Sequence, residues 1–219
     1  MPTVLISGAN RGIGLELARQ YGTEGWTVIG TAREPEEADM LRLAGARVLP
    51  LDIADPASIR ALGSELGSEA IDLLIANAGV YGENTLDPEA WSRVLQVNAI
   101  GPTLLADTLR PNVAASGLKR MIAVTSGMAS IAETGGGHIP YRTSKAALNM
   151  AWKNLALDYA GEGITVAVIN PGWVQTDMGG ANAAITPQQS VSGMRRVIDA
   201  LAPADSGSFL SWDGRKYPW

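Results

Sequence analysis

The strongest constraint on how this chain folds is the alternation of short, nearly continuous apolar runs with longer stretches of helical pattern. Seven runs stand out: Thr3–Ile6, Thr27–Thr31, Arg47–Leu51, Ile71–Ile75, Arg120–Val124, Ile164–Ile169 and Ser208–Trp212. Each is too short for a helix, most carry β-branched residues, and enough chain separates successive runs to cross over a sheet. Strands joined in this way pair in parallel, and strands without a polar side are covered on both faces. Right-handed crossovers then give an α/β, doubly wound, seven-stranded parallel sheet. Helix starts are signalled at Asp55-Pro56, Asp87-Pro88 and Thr186-Pro187, each a capping side chain followed by proline at the first helical position. Long helices are expected from about Pro88 to Ala115 and from Tyr141 to Ala160. With 219 residues, 46% of them hydrophobic, and no linker or repeat, residues 1–219 are expected to form a single domain.

Composition removes whole classes of chemistry. The absence of cysteine excludes disulfides, thiolate metal sites and thiol nucleophiles, and one histidine, His138, excludes multi-histidine metal centres. No metal site is expected. A net charge of −5 without a Lys/Arg cluster gives no source for phosphate-backbone attraction, so no nucleic-acid partner is expected. The chain enters its first strand directly from Met1-Pro2 and has no apolar run near the roughly 18 residues of a membrane span, so the expectation is a soluble cytoplasmic protein with no membrane partner.

The first strand runs into Ser7-Gly8-Ala9-Asn10-Arg11-Gly12-Ile13-Gly14, and an amphipathic helix from Leu15 to Tyr21 follows. Glycines in a strand-to-helix turn let the backbone approach a ligand closely, and the helix N-terminus offers unpaired N–H groups to a pyrophosphate. This is the context of a Rossmann-type dinucleotide site. Downstream stands Tyr141-Arg-Thr-Ser-Lys145. Residues four apart share a helix face, so the Lys145 ammonium can favour ionisation of the Tyr141 phenol and draw a pKa of about 10 toward neutrality.

The spacing Gly-x-x-x-Gly-x-Gly, together with Tyr141 and Lys145, resembles the short-chain dehydrogenases/reductases. The likeness runs from Thr3 to the last strand, and Tyr141–Met150 with the ending Ser211–Trp219 resembles the sniffer and C-factor group of carbonyl-reductase-like members. The resemblance implies a catalytic set of Asn98, Ser126, Tyr141 and Lys145, with Tyr141 as proton donor, Ser126 bonding the carbonyl oxygen, Lys145 activating the phenol and binding ribose, and Asn98 placing a water that links Lys145 to solvent. It implies coenzyme contacts from Gly8, Asn10, Arg11, Gly12, Ile13, Gly14, Arg33, Asp52, Asn77, Gly79, Tyr141, Lys145, Pro171, Gly172, Val174 and Thr176.

Where NAD-using members carry an acid at the end of the second strand, this chain has Ala32 followed by Arg33, and Arg11 adds a second cation. Two guanidiniums can clamp a 2′-phosphate, which favours NADP(H). Alternatively Arg33 pairs with Glu34, Glu36 or Glu37, and Asp52 is either an adenine contact or an ordinary strand-end turn. Trp173 lines an apolar pocket or packs beneath its loop, and His138 is a loop or pocket-wall residue. Glycine-rich Glu133–Pro140 and Asp177–Ala184 flank the proposed chemistry as loops. The expected activity is NADPH-dependent, reversible reduction of an aldehyde or ketone, the partner being a small carbonyl or alcohol substrate. The alternative is a coenzyme-binding signalling protein of the C-factor type. Family members commonly pair through the two long helices, which implies a homodimer or homotetramer.

Overall fold

In the computed structural model, which describes residues 1–219, all seven runs form strands in one parallel sheet of order β3-β2-β1-β4-β5-β6-β7. They are β1 (Thr3–Ile6), β2 (Thr27–Ala32), β3 (Arg47–Pro50), β4 (Leu73–Ala76), β5 (Arg120–Val124), β6 (Thr165–Asn170) and β7 (Phe209–Ser211). The helices are α1 (Gly12–Thr23), α2 (Asp39–Leu43), α3 (Pro56–Leu66), α4 (Pro88–Leu95), α5 (Gly101–Thr108), α6 (Arg110–Ala114), α7 (Ile139–Asp158) and α8 (Pro187–Ala200). The order reverses between β1 and β4, so the loops after these strands diverge and leave a crevice at their carboxyl ends.

Side chains alternate between the two faces of the sheet, which produces two cores. Leu5, Ile29, Leu74, Met121 and Val166 pack under α3, α5, α6 and α7, with Trp152 of α7 almost wholly buried among them. Val4, Ile6, Ile75, Ile122 and Ala167 face the other way against α1, α2 and α8. The three proline-flanked caps form as the sequence indicates: Asp55 accepts from Ala57 N–H, Asp87 from Ala90 N–H, and Thr186 closes a capping box with Gln189. No helix is long and apolar enough to cross a membrane.

The expected helix from Pro88 to Ala115 is interrupted. α4 passes into a π-helical turn, Gln96–Ile100, before α5 begins at Gly101, and a further break at Leu109 starts α6. Prolines account for both places. Pro102 cannot supply the N–H that a regular α-helix would aim at the Asn98 carbonyl, and Pro111 stands in the first turn of α6. The chain past β7 doubles back: Ser211 N–H bonds to Arg215, Tyr217 N–H bonds to Phe209, and the Tyr217 ring stacks on Phe209 at 5.0 Å.

Candidate active site

The glycine loop is shaped by how closely its backbone packs. Gly8 and Gly12 lie at φ +65° and +55°, which L side chains rarely adopt. A Cβ at Gly14 would fall 2.3 Å from the Gly8 carbonyl and 2.6 Å from Asn77 Nδ2. Asn77, just past β4, donates Nδ2 to the carbonyls of Ser7 and Gly8 at 3.0 Å each, while the buried Ser7 hydroxyl accepts from Asn77 and Ala78 N–H. The two sides of the crevice are thus tied at its floor. Arg11 stands at the N-cap of α1 without a side-chain cap bond, and the first turn carries no acidic residue. The free N–H groups there, with glycines keeping the approach clear, fit the pyrophosphate of a dinucleotide.

At the adenosine end, Ala32 is buried and Arg33 is exposed with no ion pair. It is Arg42, not Arg33, that engages Glu36 and Asp39. Asp52 Oδ1 accepts from Ala54 N–H at 2.9 Å, an Asx turn closing the end of β3 and occupying one oxygen of that carboxylate. Asn10 is exposed beside the loop, and Ile13 packs against the α1 side of the core. The sequence carries no local signal for one contact: Arg11 Nη1 pairs with Asp177 Oδ2 at 3.0 Å, an exposed ion pair that joins the glycine loop to the loop after β6.

That loop begins with Pro171, whose carbonyl accepts from Ser190 Oγ at 2.6 Å, and Gly172, at φ +84°. Val174 is buried in a short parallel bridge with Ile185, which leaves only its main chain to face a coenzyme. Thr176 lies beside the glycine loop, its Cγ2 3.4 Å from where a Cβ on Gly12 would sit. Trp173 is 58% exposed and donates its indole N–H to Gly179, so it is displayed at the surface rather than packed beneath its loop.

Four side chains from three parts of the chain meet on the other wall. Ser126 follows β5, Tyr141 and Lys145 lie one turn apart on α7, and Asn98 sits in the π turn. Ser126 faces the Tyr141 phenol, and its hydrogen bond lowers the phenol's pKa. Burial acts more strongly and pushes it up, so the sequence-based expectation of a phenol drawn toward neutrality does not hold for the protein's own groups. The reason is visible in the position of Lys145, whose Nζ donates to the Val124 carbonyl at 2.8 Å. Burial lowers the pKa of this ammonium to about 8. Asn98 is wholly buried. Its Nδ2 donates to the Val80 carbonyl at 2.7 Å and to Ser144 Oγ at 3.0 Å, and its Oδ1 accepts from Val80 N–H at 2.8 Å. Gly79 stands between Asn98 and Lys145; a Cβ there would be 3.2 Å from Asn98 Oδ1 and 3.5 Å from Lys145 Nζ.

Three neighbours have no motif to announce them. Tyr81 lies on the ring of Tyr141, with centroids 4.6 Å apart. Tyr217 comes from the far end of the chain, its hydroxyl 3.0 Å from where a Cβ on Gly127 would sit, next to Ser126. Behind the π turn, Gly101 presses on the chain after β3 so closely that a Cβ would lie 2.0 Å from the Ile53 carbonyl oxygen. No group of three or more His, Cys, Asp or Glu side chains is placed to hold a metal ion.

A glycine-lined crevice at the switch point, facing a buried tyrosine with a serine partner and a lysine one turn away, can bind a dinucleotide and move a proton beside it. Comparison with known proteins supplies the family. The family model described as short chain dehydrogenase matches residues 2–185. The C-signal of Myxococcus xanthus is 41% identical over 166 residues, covering 74% of this chain and 100% of that protein. Among solved structures, the NADPH-bound carbonyl reductase from chicken fatty liver superposes with a TM-score of 0.92 at 34% identity, covering 100% of this chain and 99% of that one. The carbonyl reductase Sniffer of D. melanogaster gives 0.91 at 28% identity with both chains fully covered. The chain belongs to the short-chain dehydrogenase family.

Proposed function

We propose that the protein is an NADP(H)-dependent oxidoreductase that reduces an aldehyde or ketone to the alcohol, reversibly. The observation that carries this reading is the meeting of Ser126, Tyr141 and Lys145 at the carboxyl ends of the strands, opposite the glycine loop. When bound, NADPH supplies the hydride that goes to the carbonyl carbon. The protein's own groups handle the charge that then develops on oxygen. Ser126 donates a hydrogen bond to it and Tyr141 transfers its phenolic proton to it. Lys145 holds the nicotinamide ribose and stabilises the phenolate left behind. The Asn98 side chain is fully engaged with Val80 and Ser144. Its main-chain carbonyl, which Pro102 leaves without the regular helical donor, is therefore the acceptor for a water linking Lys145 to solvent.

The loop backbone at Gly8, Gly12 and Gly14 and the residues Asn10, Arg11 and Ile13 cradle the pyrophosphate. Asp52, Asn77 and Gly79 line the adenosine-to-ribose wall, and Pro171, Gly172, Val174 and Thr176 hold the nicotinamide end. Arg33, unpaired beside the buried Ala32, selects the 2′-phosphate, and Arg11 adds to it by exchanging its exposed partner Asp177 for the phosphate. Several neighbours in fold are NADPH- or NADP-bound, including the carbonyl reductase from chicken fatty liver, which supports the same coenzyme here. The test is a panel of carbonyl compounds scored by NADPH consumption. A wild-type protein that consumes NADPH with none of them, across aliphatic, aromatic and quinone-type carbonyls, sinks the reading.

A second reading, a signalling protein of the C-factor type with incidental turnover, is supported by the likeness to C-signal. It is separated from the first by whether Tyr141→Phe removes the biological effect along with the turnover. We also propose pairing into a homodimer or homotetramer across α5 and α7, where Leu104, Met150 and Leu157 are exposed.

A further inference from the structure

Of the groups surrounding the proposed proton donor, Tyr81 is the one that neither the motifs nor the mechanism uses, and it is built in with unusual care. It stands five residues past β4, on a segment whose backbone is clipped to the protein interior at the preceding position: Val80 gives its N–H to Asn98 Oδ1 and takes Asn98 Nδ2 on its carbonyl. On the other side Gly82 turns at φ +71°, where a Cβ would collide with Val94 of α4 at 2.3 Å. Tyr81 is therefore held between two fixed points. Its ring lies on the Tyr141 ring at 4.6 Å and 43°, and on the His138 imidazole at 5.1 Å and 51°, within the range in which aromatic pairs attract. His138 reaches it from the long glycine-rich loop. Gly136, Gly137 and His138 itself all have positive φ, so the loop is wound tightly just before α7 begins. Arg142 fastens the loop from within the helix, donating to the Gly137 and Met128 carbonyls.

Building on the function proposed above, we propose that Tyr81 is a positioning residue: gripped between His138 and Tyr141, its ring fixes the orientation of the Tyr141 phenol and keeps water from that flank. A phenol that must pass a proton along a set line gains rate from being held there, and small displacements are costly to such a step. The Tyr141 phenol is faced by Tyr81 from the loop after β4 and by Ser126 from the end of β5, with Lys145 one turn along its own helix; His138 flanks Tyr81. Tyr81 also acts in the same direction as burial, opposing ionisation of Tyr141. In this arrangement Asn98 orients the donor by way of Val80, which explains why its amide is spent on a loop.

The experiment compares the wild type with Tyr81→Leu, Tyr81→Phe and His138→Ala. Tyrosine labelled with 13C at Cζ reports the ionisation midpoint of Tyr141, its signal identified by its loss in Tyr141→Phe. Tyr81→Leu is expected to lower kcat by about tenfold with NADPH affinity unchanged, and to lower the Tyr141 midpoint as water reaches the ring. Tyr81→Phe, which keeps the ring, restores kcat to within about twofold of wild type. His138→Ala shifts the midpoint in the same direction by less, and carries the test should Tyr81→Leu fail to fold. An unmoved midpoint in both variants overturns the proposal. So does a loss confined to KM, which would make Tyr81 a substrate wall, and so does a Phe variant as impaired as Leu. The midpoint needs no substrate, so this outcome is distinct from failure of the carbonyl-reductase reading, which shows as absent NADPH consumption by the wild type.

Discussion

The two walls of the crevice are built on opposite principles. The coenzyme wall is made of backbone: Gly8, Gly12 and Gly14 matter for the side chains they lack, and Asn77 and Ser7 bond only to main-chain groups. The chemical wall is made of side chains, the buried Asn98, Tyr141 and Lys145 with the half-buried Ser126, whose properties depend on what surrounds them. A wall of backbone tolerates little added bulk and is indifferent to pH; a wall that holds the ionisable Tyr141 and Lys145 keeps its shape, though not its chemistry, under isosteric change and responds to pH. Substitutions on the two sides should therefore fail in different ways.

The largest difference is expected from Tyr141→Phe, which keeps the ring and removes the proton. Turnover of a responsive carbonyl should fall by roughly 10²-fold or more, with NADPH binding intact by calorimetry. A variant with wild-type turnover would end the proposed chemistry. Gly14→Ala should show the reverse. Its methyl meets the Gly8 carbonyl and Asn77, neither of which can move freely, so NADPH affinity should drop by tens of fold, the melting temperature should fall, and residual turnover at saturating NADPH should stay close to wild type. Equal affinities in the two proteins would show that the loop is looser than its contacts indicate.

Arg33→Ala sharpens the comparison within the coenzyme wall, since Arg33 supplies charge rather than space. Affinity for NADPH should fall about tenfold with that for NADH unchanged, and Ala32→Asp should turn the preference toward NADH by repelling phosphate. Titration with both coenzymes checks this; unchanged preference in either variant would remove Arg33 from the phosphate site.

Lys145 links the two walls, and its pH dependence has two opposite signs. Burial lowers its pKa to about 8 from the ordinary 10.5, so burying the charge costs stability below about pH 8, and that cost fades as pH rises toward 10.5. If Lys145 holds ribose through its ammonium as proposed, NADPH affinity should decline by a few fold as pH rises through about 8. Parallel melts and titrations between pH 7 and 9 should show this divergence in the wild type and lose it in Lys145→Ala. The smallest effect concerns association: light scattering at micromolar concentration should give a dimer or tetramer mass, and Leu157→Glu on the exposed side of α7 should shift it toward the monomer. A monomeric wild type would refute the pairing.

The same division separates what was legible in the sequence from what was not. The strands announced themselves through β-branched runs flanked by turn residues, and the glycine loop through spacing alone, because both are local. The four residues of the chemical wall were readable only as a motif. Their physical state was not: the ordinary pairing of lysine with tyrosine suggested an acidified phenol, while the fold sends Lys145 to the Val124 carbonyl and lets burial dominate at Tyr141. Tyr81, Tyr217 and the Arg11–Asp177 pair depend on contacts between distant segments and leave no periodic trace. The break in the helix after Pro88 was available in principle, since Pro102 and Pro111 interrupt its ladder. Its π geometry was not, because a proline marks where the ladder breaks and not how the turn before it winds.

The close approach of Gly101 to Ile53 has a bearing on how this protein could be re-engineered. Ile53 follows Asp52 on the coenzyme wall, and Gly101 closes the turn that carries Asn98, so the segment after β3 and the turn behind the chemistry touch backbone to backbone. The coenzyme half is consequently not an interchangeable cassette. A β2–β3 segment transplanted from a relative with different nucleotide preference would arrive with its own shape at residue 53, and any shift toward α5 would be transmitted to Asn98 and, through Val80, to the aromatic ring lying on Tyr141.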